Sequence, residues 1–140
     1  MLRCTSTASV KKVSIVRFEA DLLNGTVTDH KTGLMWQQAA YDIARTLPEA
    51  KTYCNGLVLG GHNDWVLPRI DQLLTIVDYS RYGPAIHPAL DCRLKDYLSS
   101  STNAGNPDAA WVVNFTSGYA GWDDKYLEYS YVGCVRGGPW

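Results

Sequence analysis

No apolar run in this 140-residue chain approaches the roughly 20 residues that a membrane-spanning helix needs. Met1 to Val16 carries Arg3, Lys11 and Lys12 but no apolar h-region, so it does not read as a signal peptide. Net charge is nearly absent: 13 Lys and Arg against 14 Asp and Glu leave −1, which gives no footprint for nucleic acid or an anionic membrane surface. Histidine is scarce. His30, His62 and His87 all fall in segments expected to be loops, and there is no GxSxG or other nucleophile motif. Nucleophilic catalysis needs a base and an orienting group beside the nucleophile, so an enzyme is the least favoured class. The four cysteines (Cys4, Cys54, Cys92 and Cys134) include no CxxC pair, which argues against zinc. They are either buried thiols or, in an oxidising compartment, partly disulfides. No internal repeat or low-complexity segment is evident.

What is present describes one globular domain: 46% hydrophobic and 19% charged residues are enough for a real core. The most informative stretch is Gly60 to Leu74, GGHNDWVLPRIDQLL. Gly60-Gly61 can take the positive φ of a tight turn, and Asn63-Asp64 close turns on themselves. Trp65, Val66 and Leu67 form a short apolar run that Pro68 ends, which predicts Trp65 as a buried anchor. Ile70, Leu73, Leu74 and Val77 then fall at helical spacing and predict a helix over 69–78, with Asp71 and Asp78 on its solvated face.

Elsewhere the signals are local. Val10 to Phe18 is β-branched and predicts a strand, with residues 1–16 as an N-terminal extension and 17–138 as the domain. GTVTD and LMWQQ, joined by His30 to Gly33, predict a β-hairpin between Gly25 and Gln38. Thr46-Leu47-Pro48-Glu49 has the form of a capping box with proline in the first turn, and Ala50, Tyr53, Cys54 and Leu57 share the inward face of the helix that follows. Arg81 to Leu98 lacks a period and reads as loops. From Leu98 onward the chain is β-like, with Ala109 to Thr116 a strand carrying Trp111, Val113 and Phe115 on one core face.

In this order the motifs resemble the C-terminal domain family of Legionella collagen-like (Lcl) proteins, a group of bacterial envelope domains. The matching pieces are Arg17-Phe18, GTVTDHKTGLMWQ, AKTYCNGLVLGGHNDWVLPRIDQL, the SSST run, AAWVVNF and GCVRGG. Two positions depart: the family usually has Arg where Val66 stands and Trp where Leu98 precedes the serines. The resemblance implies an α+β, C-type lectin-like fold, with two helices packed on twisted antiparallel β-sheets and the N- and C-terminal strands adjacent. It implies a disulfide between Cys54 and Cys134, and a location in the cell envelope or outside the cell. Cys4 and Cys92 have no counterpart.

Function is expected to be non-catalytic recognition of a glycan or a protein surface. A structural or assembly domain of a larger surface protein is the alternative, as is the target protein of a diversity-generating retroelement. The candidate contacts are Tyr119, Trp122, Asp123, Asp124, Tyr126 and Tyr129, aromatics interleaved with carboxylates, as paratopes combine rigid rings with adaptable hydrogen bonding. No cofactor is expected except, as a secondary possibility, calcium. Sugar-binding C-type lectins hold Ca²⁺ through a polar-Pro-polar tripeptide and a later Trp-Asn-Asp. Asn106-Pro107-Asp108 and Trp122-Asp123-Asp124 resemble these two elements, making Asn106, Asp108, Asp123 and Asp124 the metal candidates.

Overall fold

The structure, a computed structural model, describes residues 16–39, 43–90 and 95–137. Cys4, Cys92 and nearly all of the expected N-terminal strand lie outside them. The elements run β1 (Phe18–Asp21), β2 (Thr26–Asp29), β3 (Leu34–Gln37), α1 (Leu47–Gly56), α2 (Ile70–Leu74), β4 (Asp96–Asn103), β5 (Asn106–Asn114), β6 (Tyr119–Asp124) and β7 (Val135–Gly137). They form a four-stranded sheet in the order β1-β2-β3-β7 and a three-stranded sheet β4-β5-β6, all pairs antiparallel. With two short helices this is an α+β domain. β7 pairs with β3, so the first and last described strands lie on opposite edges of their sheet instead of side by side.

The β2–β3 hairpin forms as its turn dictates: Gly33 takes φ 76° and donates its N–H to Asp29 O at 2.8 Å. Asp29 is fully buried beneath that turn. Its carboxylate accepts two hydrogen bonds from Arg17 at 2.9 Å each, and others from Lys31 N and Thr32 Oγ1. Burial pushes its pKa up, but these donors and the Arg17 charge outweigh it and hold the carboxyl below its ordinary value. Arg17 also donates to Thr75 O at 2.6 Å, tying β1 to the end of α2.

α1 starts at the expected capping box, with Thr46 N donating to Glu49 Oε1 and Glu49 N to Thr46 Oγ1. Ala50 and Cys54 are fully buried on its inward face. Cys54 is bonded to Cys134, just before β7, with Cα atoms 5.6 Å apart. Leu59 and His62 exchange backbone hydrogen bonds around Gly60 and Gly61, both at positive φ, as a two-residue hairpin turn requires. Trp65 is 1% exposed and its Nε1–H donates to Leu59 O, so it is the anchor that the sequence predicts.

α2 is shorter than expected. Thr75 Oγ1 donates back to Gln72 O, and Val77 is drawn into a bridge with Ile86, so the helix ends at Leu74. Asp78 therefore lies in a turn, accepting from Ser80 and Arg81, and only Asp71 is on the helix. β4 begins two residues before Leu98 and is irregular after it. The serine run repairs the ladder there: buried Ser99 Oγ donates to Trp111 O and accepts from Ser101 N, while Ser101 Oγ accepts from Ile70 N.

β5 is packed on both faces. Val113 and Phe115 enter one apolar cluster with Val27, Trp36, Leu73 and Val135; Ala110 and Val112 enter another with Ala50, Trp65, Leu98 and the disulfide. Trp111, expected in the core, is only half-buried, because it pairs across the ladder with Trp122, which is 56% exposed. Of the two departures from the family pattern, Leu98 is buried in the core and Val66 is at the surface.

Candidate functional site: an aromatic-rimmed cleft on the three-stranded sheet

The cross-strand register gathers one set of side chains on one face of the smaller sheet. Asp96 of β4 stands opposite Asn114 of β5, which stands opposite Tyr119 of β6; Val112 stands opposite Gly121. With Thr116, Ser117 and Trp122 these residues line an open cleft of about 610 Å³. Gly121 keeps its floor low, since a Cβ there would sit 3.4 Å from Cε1 of Tyr119. Tyr119, 71% exposed, is its aromatic wall; Trp122 borders the cleft at its edge, since strand alternation turns its side chain, with that of its partner Trp111, to the other face of the sheet.

Asn114 Nδ2 donates to Asp96 Oδ1 at 3.0 Å, and the Asn114 carbonyl oxygen accepts from Thr116 N, fixing the amide's orientation. Asp123 accepts from Ser130 Oγ at 2.7 Å, and its charge is felt at Asp96. Burial, then the neighbouring Asp123 charge, push the Asp96 carboxyl above its ordinary pKa, against the Asn114 hydrogen bond and the more weakly felt Lys95. The segment after β6 is held in place along its length. Leu47 N donates to Lys125 O, Arg45 N to Ser130 O, Tyr131 N to Asp96 O and Leu98 N to Tyr131 O.

Of the residues singled out in the sequence, Tyr119 and Trp122 line the cleft, and Asp123 reaches it through Asp96. Asp124 does not: successive strand residues alternate faces, and Asp124 pairs with Ala109 on the opposite side, accepting from Tyr126 N. Tyr126 and Tyr129 are well exposed on the segment that follows but are not part of its lining. The same alternation separates two of the calcium candidates, Asp123 and Asp124. Asn106 turns its side-chain oxygen to Asp108 N, Asp123 faces Ser130, and Asp124 faces Tyr126. Among the described residues no three His, Cys, Asp or Glu side chains come together as a metal site.

Asp96, Asn114, Thr116 and Ser117 were not singled out from the sequence. Asp96 falls in the stretch read as loops, and only the ladder brings it opposite Asn114. Of the histidines, His30 is an exposed turn residue whose Nε2 meets Glu19 at 2.8 Å. His87 is packed, its ring 4.9 Å from that of Phe18, and its Nδ1 accepts from Ala89 N. Burial lowers its pKa, favouring the neutral ring.

The fold and cleft thus define an α+β domain with an open, ring-walled and polar-floored surface site. The chain matches the Lcl C-terminal domain over residues 25–136 and belongs to that family. No curated protein matches it. None of the described helices is long and apolar enough to cross a membrane.

Proposed function

We propose that the domain is a non-catalytic recognition module of a bacterial surface protein, and that the cleft on the β4-β5-β6 sheet holds a glycan. Membership of the Lcl C-terminal domain family supports surface association and a C-type lectin-like reading of the fold. The observation that carries the binding role is the cleft itself: the exposed Tyr119 ring beside Asp96, Asn114, Thr116 and Ser117. Tyr119 offers a face for a sugar ring to stack on, and the polar groups offer donors and acceptors for hydroxyls. Tyr126 and Tyr129 extend the contact area along the adjoining segment, beside Asp124. A wide, open depression of this kind suits a saccharide chain better than a small, fully enclosed substrate.

The test is a glycan array probed with the wild-type domain and with Trp122→Ala and Tyr119→Ala. Both rings are largely exposed, so neither change should unfold the protein. Specific hits lost in Tyr119→Ala support the reading; hits unaffected by that change exclude the cleft. A second reading, assembly with further copies or partner proteins, is favoured by the exposed Tyr126, Leu127 and Tyr129 on one short segment. It requires a stable oligomer in sedimentation that burial-disrupting changes at those three residues dissociate.

A further inference from the structure

We propose that β6 is a pairing edge through which two copies of this chain join, antiparallel, into one continuous sheet with its two-fold axis at Trp122. The inference does not depend on the glycan reading; it rests on which sheet edges the chain covers and which it leaves open. β4 is sealed on its outer side, where Leu98 N donates to Tyr131 O, Tyr131 N to Asp96 O and Ser100 N to Pro68 O. β7 is sealed by Val66, which exchanges backbone hydrogen bonds with Val135. β6 is the last strand of its sheet, and among the described residues no backbone group pairs with its far side.

The direction of its backbone groups follows from Lys125 N, which donates to Asp108 O of β5. Hydrogen-bonded and non-hydrogen-bonded pairs alternate along an antiparallel ladder. Tyr119, Gly121 and Asp123 therefore spend their backbone groups on β5, while Ala120, Trp122 and Asp124 turn theirs outward. Open edges are commonly blunted by a proline, a lysine, a bulge or shortness. β6 has six residues in unbroken register with β5 and contains neither proline nor lysine. β1, which ends the other sheet, has four residues and carries Glu19 and Asp21.

The β6 sequence, YAGWDD, favours its own copy as the occupant. Paired about Trp122, Asp124 stands opposite Ala120 of the copy, Asp123 opposite Gly121, and Trp122 opposite itself. No acid meets an acid. A parallel partner in register would set both acids against their copies, and an axis at Asp123 would set that residue against itself; like charges placed so are destabilising. An axis at Gly121 also keeps the acids apart, but it pairs only Ala120 with Trp122 and forms about four hydrogen bonds against about six. Gly121 leaves room for the carboxylate that faces it. On the other face Trp122, 56% exposed, already stands across the ladder from Trp111. Pairing sets the two Trp122 rings side by side and covers an aromatic that the single chain leaves in water.

Sedimentation of the full chain from about 1 µM to about 1 mM, with amide hydrogen exchange of the labelled protein at both ends of that range, tests this. So narrow an interface is a weak one, and a dimer with Kd of about 10–100 µM is expected. The amides of Ala120, Trp122 and Asp124 should gain about tenfold or more protection as concentration rises. Ala120→Pro removes an outward N–H that the β5 ladder does not use, and Trp122→Ala removes the ring while leaving the backbone. Each should raise Kd by about tenfold or more, with the β5 amides still protected as proof of the fold. A chain that stays monomeric to about 1 mM overturns the proposal. So does full protection of the three amides in the monomer, which would mean that the rest of the chain covers the edge. A dimer that both β6 variants leave intact, or that changes at Tyr126 and Tyr129 dissociate instead, also overturns it.

Discussion

The disulfide between Cys54 and Cys134 closes a loop of 80 residues and joins α1 to the segment leading into β7. Both half-cystines are fully buried, inside the cluster that also contains Trp65 and Leu98. In the chain-entropy treatment, closing a loop of that length removes freedom from the unfolded chain equivalent to about 4.5 kcal/mol. A chain of this size unfolds with an entropy near its midpoint of about 0.3 kcal/mol/K, so losing the bond should lower Tm by about 15 °C. Differential scanning calorimetry of oxidised wild type against the Cys54→Ala, Cys134→Ala double variant reads this directly. Mass mapping of a non-reduced digest should first show the Cys54–Cys134 peptide pair. A Tm difference under about 3 °C, with the bond verified in the wild type, would refute the reasoning that the bond chiefly restrains the unfolded chain.

Trp65→Ala should cost about 3–5 kcal/mol in chemical denaturation, since it empties a site that is 1% exposed; near wild-type stability would contradict its role as anchor. Arg17→Ala should cost about 3 kcal/mol at neutral pH, because it strands the buried Asp29 charge. The Asp29 contribution is present above its unfolded pKa and lost as pH falls through its lowered folded value. The gap between wild type and Arg17→Ala should therefore close in acid, and a gap independent of pH would contradict the assignment. Asp96 has the opposite sign. Its raised folded pKa means that protonation stabilises the fold, so Asp96→Asn should raise Tm at neutral pH and converge with wild type in acid; a lowered Tm at neutral pH would contradict this. Millimolar calcium should leave Tm unchanged, because Asp123 and Asp124 face opposite sides of β6, and a rise abolished by Asp124→Asn would restore the calcium site.

Features written in adjacent residues were legible in the sequence. The Thr46–Glu49 box, the Gly33 and Gly60-Gly61 turns and the Trp65 anchor depend on local geometry, and each appears where expected. The extent of α2 was not legible, because Ile70, Leu73, Leu74 and Val77 keep helical spacing even where the Val77–Ile86 bridge breaks the helix. Trp111 was misassigned for a related reason. Its alternation with Val113 and Phe115 is real, but how far the core covers that face depends on partners distant in sequence. The cleft was half legible. Tyr119, Trp122 and Asp123 stand close together in the chain, whereas Asp96 and Asn114 meet only through the β4–β5 register. Asp123 and Asp124 are adjacent in sequence and opposed in space, which is why a motif read along the chain overcounted the acids on one side.

The central claim is that this sheet face, with Tyr119 beside Asp96 and Asn114, is where the domain meets its ligand. The most direct measurement is an amide NMR titration of the isotopically labelled domain with the tightest array glycan. The expected result is a contiguous set of shifted resonances from Asp96, Asn114, Ser117, Tyr119, Gly121 and Trp122, with the β1-β2-β3-β7 sheet unmoved. Shifts confined to that four-stranded sheet, with the cleft silent at saturation, would contradict the account.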